Sequence, residues 1–302
     1  MTFKEALLNF CKGVGMGTAN VIPGVSGGTI AFITGIFERL INAIKSFNLT
    51  ALKLLFKGKL KELIRHLDLY FLLSVGTGVA VAIISVAKLF QYLFDHYPIY
   101  LWSFFLGLIL VSVFYVAKEV RKWNFTTITF FVLGTVIAVL ISLLKPGNPN
   151  DSIIYLLICG VVASCSMILP GLSGSFVLIL LGNYQLVMID AVSALDFRIL
   201  APVVVGGIVG LLGFSYFLSW LFTKYRYQAI SVISGFILGS CLLIWPWKEA
   251  IVETFGDKEK IVGYQWQLPA MNAEFVSALA FIVIGGMLIW FMESVAKKMK
   301  KN

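Results

Sequence analysis

Charge is what this chain has least of: Asp, Glu, Lys and Arg make up 13% of its 302 residues, against 59% hydrophobic. An ordinary soluble domain carries about 25% charged residues, so that class is excluded. Alternation is missing as well. The apolar runs are long and continuous, which makes a β-barrel a poor alternative and points to a polytopic α-helical membrane protein. No Ala-x-Ala site follows the first apolar stretch, so no cleavable signal peptide is expected. The four cysteines (Cys11, Cys159, Cys165, Cys241) contain no CxxC and lie in or beside apolar segments. They read as reduced packing residues, with neither a disulfide framework nor a metal site. Histidine is limited to His66 and His96.

What the chain has instead is one motif written twice. Pro23-Gly24-Val25-Ser26-Gly27-Gly28 recurs 147 residues later as Pro170-Gly171-Leu172-Ser173-Gly174-Ser175, and each copy is followed at the same distance by a glycine, Gly35 or Gly182. Each lies inside a long apolar block, 5–42 or 152–187. Proline and paired glycines break helices. A break at membrane depth is tolerated only where protein or a water-filled cavity satisfies the freed backbone. Both blocks therefore read as helical hairpins, re-entrant or spanning, that return to the side they came from.

Three plain spans follow each block: 69–94, 99–117 and 125–144, then 199–222, 229–247 and 275–293. Residues 145–151, Lys-Pro-Gly-Asn-Pro-Asn-Asp, form the clearest linker. Between the first hairpin and its spans, residues 48–67 read as one basic amphipathic helix. Lys53, Lys57, Lys61 and Arg65 recur every four residues beside a Leu/Phe stripe, which suits either an anionic lipid interface or the protein's own flank. Beyond the motif, an offset of 128 pairs Gly78 with Gly206, Tyr97 with Tyr225 and Gly107 with Gly235.

The expected fold is thus an all-α polytopic membrane protein built as an inverted repeat, 1–147 and 148–302, within one integrated membrane domain. Each half has a broken hairpin plus three spans, an odd count that reverses the orientation of the second half. With both termini cytoplasmic, 18 of the 24 Lys and Arg fall on the inner side, five outside and Lys88 within a span. That bias satisfies the positive-inside rule and accounts for the net charge of +9 without a nucleic-acid partner. Lys88 lies near enough to the outer end of its span to snorkel to the interface.

A Pro-Gly-x-Ser-Gly break exposes amides at the start of the next half-helix, where the helix dipole favours an anion. Ser26, Thr29, Ser173 and Ser175 would add hydroxyls, while Pro23, Gly24, Gly27, Gly28, Pro170, Gly171 and Gly174 allow close approach. The competing reading is a pair of small-residue packing kinks. Glu38 and Arg39 follow the first hairpin. Arg39 suits bidentate phosphate recognition and equally the ordinary basic inner surface. Arg198, near Asp190 and Asp196, takes a comparable place on the outer side. Gly24-Val25-Ser26-Gly27-Gly28 also fits G-x-S-x-G, but a hydrolase elbow needs a strand–turn–helix and a nearby base. No catalytic residue, metal or cofactor is therefore expected. An ion-coupled transporter or channel for another anion stays open as an alternative, with an intramembrane serine hydrolase behind it.

Residues 15–31, Gly-Met-Gly-Thr-Ala-Asn-Val-Ile-Pro-Gly-Val-Ser-Gly-Gly-Thr-Ile-Ala, running on to Gly35-Ile36-Phe37-Glu38-Arg39-Leu40, closely resemble the signature of a bacterial membrane family. That family was formerly a domain of unknown function and is now assigned to polyprenyl-phosphate transport. Residues 170–176 through Gly182-Asn183-Tyr184 resemble its second signature, and the likeness covers essentially the whole chain. Asn20 and Asn183, inside the two signatures, join the expected substrate-binding set. Position 20 is often Asp in that family, so a role for an acid there, such as proton coupling, does not carry over to Asn20. The resemblance implies a flippase of the bacterial cell membrane that returns undecaprenyl phosphate from the outer to the cytoplasmic leaflet for envelope synthesis. Its partners would be that lipid and the surrounding membrane lipids, with H+ or Na+ as the candidate coupling ion and the oligomeric state unassigned.

Overall fold

The computed structural model describes residues 2–21, 26–255 and 258–301. Pro23 and Gly24 of the first motif lie outside the described residues, as does the side chain of Lys88. The chain is a multi-pass helical membrane protein. It divides into two compact units, one of residues up to Lys88 plus Asn148–Arg226, the other of Leu89–Gly147 plus Tyr227 onward. The unit boundaries fall at the expected repeat junction and also inside each expected half.

In the first unit the opening apolar block is three helices: α1 (Phe3–Val21), α2 (Gly27–Ile33) and α3 (Phe37–Lys45). The expected amphipathic helix is two, α4 (Leu49–Phe56) and α5 (Leu60–His66). Gly58 between them has φ +67°, a left-handed turn that no continuous helix could contain. The long helix α6 (Leu69–His96) follows, passing from the first unit into the second after Lys88. Of the helices α7 to α14, the first unit holds α9 (Ile153–Ile168), α10 (Gly174–Leu180), a π-helical stretch Gln185–Ala191, the short α11 (Val192–Ala194) and α12 (Phe197–Lys224).

The direction of packing is the same for the helix that opens each broken block and the long helix that follows it. A Cβ on Gly13 would strike Val75 of α6, and one on Gly17 would strike Val79, so α1 and α6 run the same way. Gly160 likewise meets Gly207, and Gly210 meets Val161 and Ser164, so α9 and α12 also run the same way. Two parallel helices need an intervening return. In each pair the reversal falls in the stretch that contains or follows the broken block. Close backbone approach at glycines is how helices associate where lipid removes the hydrophobic driving force. The opposite face of α12 carries Val204, Val205, Ile208 and Val209, each more than half exposed. Such a surface is untenable in water and ordinary against hydrocarbon.

The second unit contains α7 (Pro98–Ala117), α8 (Phe125–Leu143), α13 (Arg226–Ser240 but for its first residue) and α14 (Ala273–Lys301). Gly107 meets the α14 backbone at Ile282, and Gly134 meets the α13 backbone at Val232. The fifth expected span, 229–247, ends early at Ser240. Beyond a turn and Pro246, the chain forms an antiparallel hairpin, β1 (Lys248–Phe255) with β2 (Lys258–Trp266). The hairpin is anchored at Lys248, whose ammonium lies 3.8 Å from the Trp102 ring centre and 4.1 Å from that of Tyr264, and donates to the Leu243 carbonyl. Among the described residues, four helices are long and apolar enough to cross a membrane, or five counting the bent pair of α5 with α6.

Candidate functional site

From Ser26 and Ser173 onward, the two motif copies fold into the same local device. α2 and α10 are each seven residues long and begin at a serine N-cap in extended conformation, Ser26 (φ −111°, ψ 134°) and Ser173 (φ −115°, ψ 141°). Serine favours that position because its hydroxyl accepts from an amide that the helix leaves unpaired. Ser26 accepts from Gly28 N–H at 3.1 Å and Ser173 from Phe176 N–H at 3.2 Å. Both helices end at a left-handed glycine, Gly35 (φ +71°) or Gly182 (φ +74°). The next amide closes back over five residues, Ile36 to Ala31 and Asn183 to Leu178, as glycine C-caps do. A long polar side chain from the preceding helix completes each end. Lys12 donates to the Thr34 carbonyl at 2.9 Å, and the Tyr155 hydroxyl to the Leu181 carbonyl at 2.8 Å.

The two devices meet. Gly171 N–H donates to Thr29 Oγ1 at 3.1 Å, and Ser26 Oγ to the Leu169 carbonyl at 3.4 Å. Pro170, Gly28 and Thr29 are buried at this crossing. A Cβ on Gly28 would stand 2.7 Å from the Ile168 carbonyl oxygen. The first break is thus threaded directly against the second, and a side chain at position 28 would hold them apart.

Their chemistry differs. The α2 amides, expected to be open to an anion, are capped from within: Gly27 N–H donates to Asn20 Oδ1 at 2.7 Å, Gly28 N–H to Ser26, and Thr29 N–H to the Ser26 carbonyl. The place that Asn20 takes against Gly27 is held against Gly174 by Met167, which offers no comparable acceptor. In the second copy Ser173 Oγ and Ser175 Oγ lie 3.1 Å apart, with Ser175 exposed. Hydroxyls so placed can reorient to donate to a phosphate oxygen.

Other expected site residues are engaged elsewhere. Asn183 is fully buried, with its amide bonded to both backbone groups of Asn150 and set near Cys159 Sγ. The Arg39 fork is filled by Asp68 (Nε–Oδ2 2.6 Å, Nη2–Oδ1 3.0 Å) and lies 4.3 Å from the Phe71 ring centre. Those hydrogen bonds raise the Arg39 pKa and outweigh its partial desolvation. Glu38 pairs with Arg226 at 2.7 Å. Arg198 is exposed in the first turn of α12, where the Asp196 carboxylate accepts its backbone N–H. Lys12, Asp68, Tyr155 and Arg226 were not anticipated as partners of the motif segments. Their contacts join stretches distant in sequence, so spacing carried no signal for them.

Residues 16–262 match the family described as VCA0040-like, undecaprenyl phosphate translocase-like. A polyprenyl-phosphate transporter of Vibrio cholerae serotype O1 is 36% identical over 301 residues, 97% of each chain. One of Staphylococcus aureus is 32% identical over 267 residues, 79% of this chain and 86% of that protein. No solved structure matches the chain.

Proposed function

The chain belongs to the undecaprenyl phosphate translocase-like family, and from that premise we propose that it transports polyprenyl phosphate, specifically undecaprenyl phosphate, from the outer to the cytoplasmic leaflet. The lipid carrier would thereby be recycled for cell-envelope synthesis. Two relatives, one matching along nearly its whole length, bear the name polyprenyl-phosphate transporter. The observation that carries the reading is the crossing itself, where Ser26 and Thr29 of one motif bond Leu169 and Gly171 of the other. The hydroxyls of Ser26 and Thr29 meet the backbone of the second copy there, and the Ser173–Ser175 hydroxyl pair belongs to that same second copy. A phosphate monoester on an isoprenoid needs such an arrangement: hydrogen-bond donors at membrane depth, with an apolar flank for the tail.

In this reading both termini are cytoplasmic, the halves are inverted, and the two hairpins approach the crossing from opposite leaflets. A hydrolase is less well supported. Ser26 Oγ is bonded to a carbonyl and an amide, His66 is bonded to Asn48, and His96 to the Tyr92 carbonyl. Depletion tests the proposal. In a strain lacking any other such transporter, loss of this protein should raise undecaprenyl phosphate on the outer face, detected with a binder for that lipid. Unchanged exposure would reject the transport reading.

A further inference from the structure

Away from the motif crossing, a cavity of about 250 Å³ opens where α3 and the last turns of α12 meet. Its walls are Glu38, Asn42, Ser219, Thr223 and Arg226, and its apolar floor is Ile41 and Phe222. That is smaller than a typical drug-sized pocket of about 300–1,000 Å³, and a size for a head group more than for a whole lipid. The rim is rich in donors. Lys45 Nζ donates to Ser219 Oγ at 3.1 Å, and Ser219 Oγ in turn to Asn42 Oδ1 at 3.2 Å. Arg226 and Glu38 are the charged residues of the lining, and Lys45 reaches it through Ser219. The Glu38–Arg226 pair is 45% exposed on both sides. An ion pair this open is held weakly and can exchange partners, whereas a guanidinium matches a phosphate with two parallel hydrogen bonds.

The floor connects this cavity to α2. Phe222 packs at a tilt against Phe32 (centroids 6.3 Å) and edge-to-face against Phe37 (5.9 Å), and Phe32 lies 5.2 Å from Phe37. Phe32 is six residues along from Ser26, roughly 9 Å at helical rise. An aromatic trio thus lies between the polar cavity and the motif crossing. It supplies an apolar surface for a prenyl chain and a barrier to water.

We propose that this cavity is a second phosphomonoester subsite, in which Arg226 anchors the head group of a prenyl phosphate and Glu38 is the counter-ion it displaces. The assignment rests on the transport reading above and adds to it a separate place where the head group is held at the α3–α12 end.

The test is equilibrium binding to the full-length protein in lipid nanodiscs, with geranyl phosphate as the probe and geraniol and inorganic phosphate as competitors. Arg226→Gln should weaken binding about tenfold, in keeping with loss of a charge-assisted bidentate contact. Glu38→Gln should tighten it, because the competing carboxylate is gone. A purely structural ion pair would move both variants in the same direction, and that outcome overturns the subsite. Wild-type protein that binds but whose two variants match it overturns the subsite alone; wild-type protein that binds no geranyl phosphate defeats the transport reading with it. Geraniol should not compete. Competition by inorganic phosphate at equal concentration would assign the cavity to the free anion and overturn its lipid assignment.

Discussion

The short helices that follow the two breaks have nearly the same backbone and different chemistry. Cap conformation, helix length and the terminal left-handed glycine agree between residues 26–36 and 173–183. At the positions that face the break they part. Asn20 corresponds to Met167, Gly28 to Ser175 and Thr29 to Phe176, 147 residues on. In the first copy the α2 amides are sealed by side chains, and Gly28 and Thr29 dock on the second copy. In the second, a hydroxyl pair remains at the surface. Duplication preserved the turn, which backbone sterics dictate. It did not preserve the hydrogen-bonding groups, which each copy spends on different partners.

The largest test of this contrast makes the first copy resemble the second at its tightest point. Gly28→Ser would place a Cβ against the Ile168 carbonyl. The expected outcome is a loss of about 1–3 kcal/mol from overpacking, seen as a lower unfolding midpoint in detergent, together with loss of transport. An unchanged midpoint would show that the crossing is loose and that the glycine serves another purpose.

Next is the division of labour between serines. Ser26→Ala removes a helix cap and should cost about 1 kcal/mol of stability. Ser175→Ala removes an exposed hydroxyl that caps no amide, so the midpoint should hold. Transport should fall roughly tenfold, the size of a lost hydrogen bond to a charged group. Outer-leaflet lipid exposure and thermal unfolding, measured on the same two variants, would reveal a reversed pattern if the roles are exchanged.

The smallest effect concerns position 20. Asn20→Met copies Met167 into the first half and strips the acceptor from Gly27 N–H, an expected loss of about 1 kcal/mol. Asn20→Asp keeps an acceptor beside the α2 N-terminus and should stay within about 0.5 kcal/mol of the native protein. Equal destabilisation by both would mean that the site requires the amide's donor as well as its acceptor.

Much of the helical layout was legible in the residues. The expected spans 69–94, 99–117, 125–144 and 199–222 fall within two residues of α6, α7, α8 and α12 at each end. Long apolar runs leave the backbone no alternative to internal hydrogen bonding in lipid. Around residues 48–67 and 241–266 periodicity was a weaker guide. Gly58 takes a left-handed turn inside an otherwise helical pattern, and the stretch after Ser240 turns away into a hairpin. In the site, the serines were recognisable as caps, but the fates of Arg39 and Asn183 were not. Asp68 and Asn150 claim their side chains through contacts that no local pattern encodes.

By itself, then, the sequence determined where the membrane helices run and where two of them must break, because apolar length, proline and glycine act on the chain locally. Only the tertiary structure decided which groups at those breaks are already spent. Asn20 covers one set of amides, Thr29 receives Gly171, and Glu38 holds Arg226 beside an open cavity. A hydrogen-bonding group acquires its role from the partner within about 3 Å of it, and here that partner often comes from a distant part of the chain.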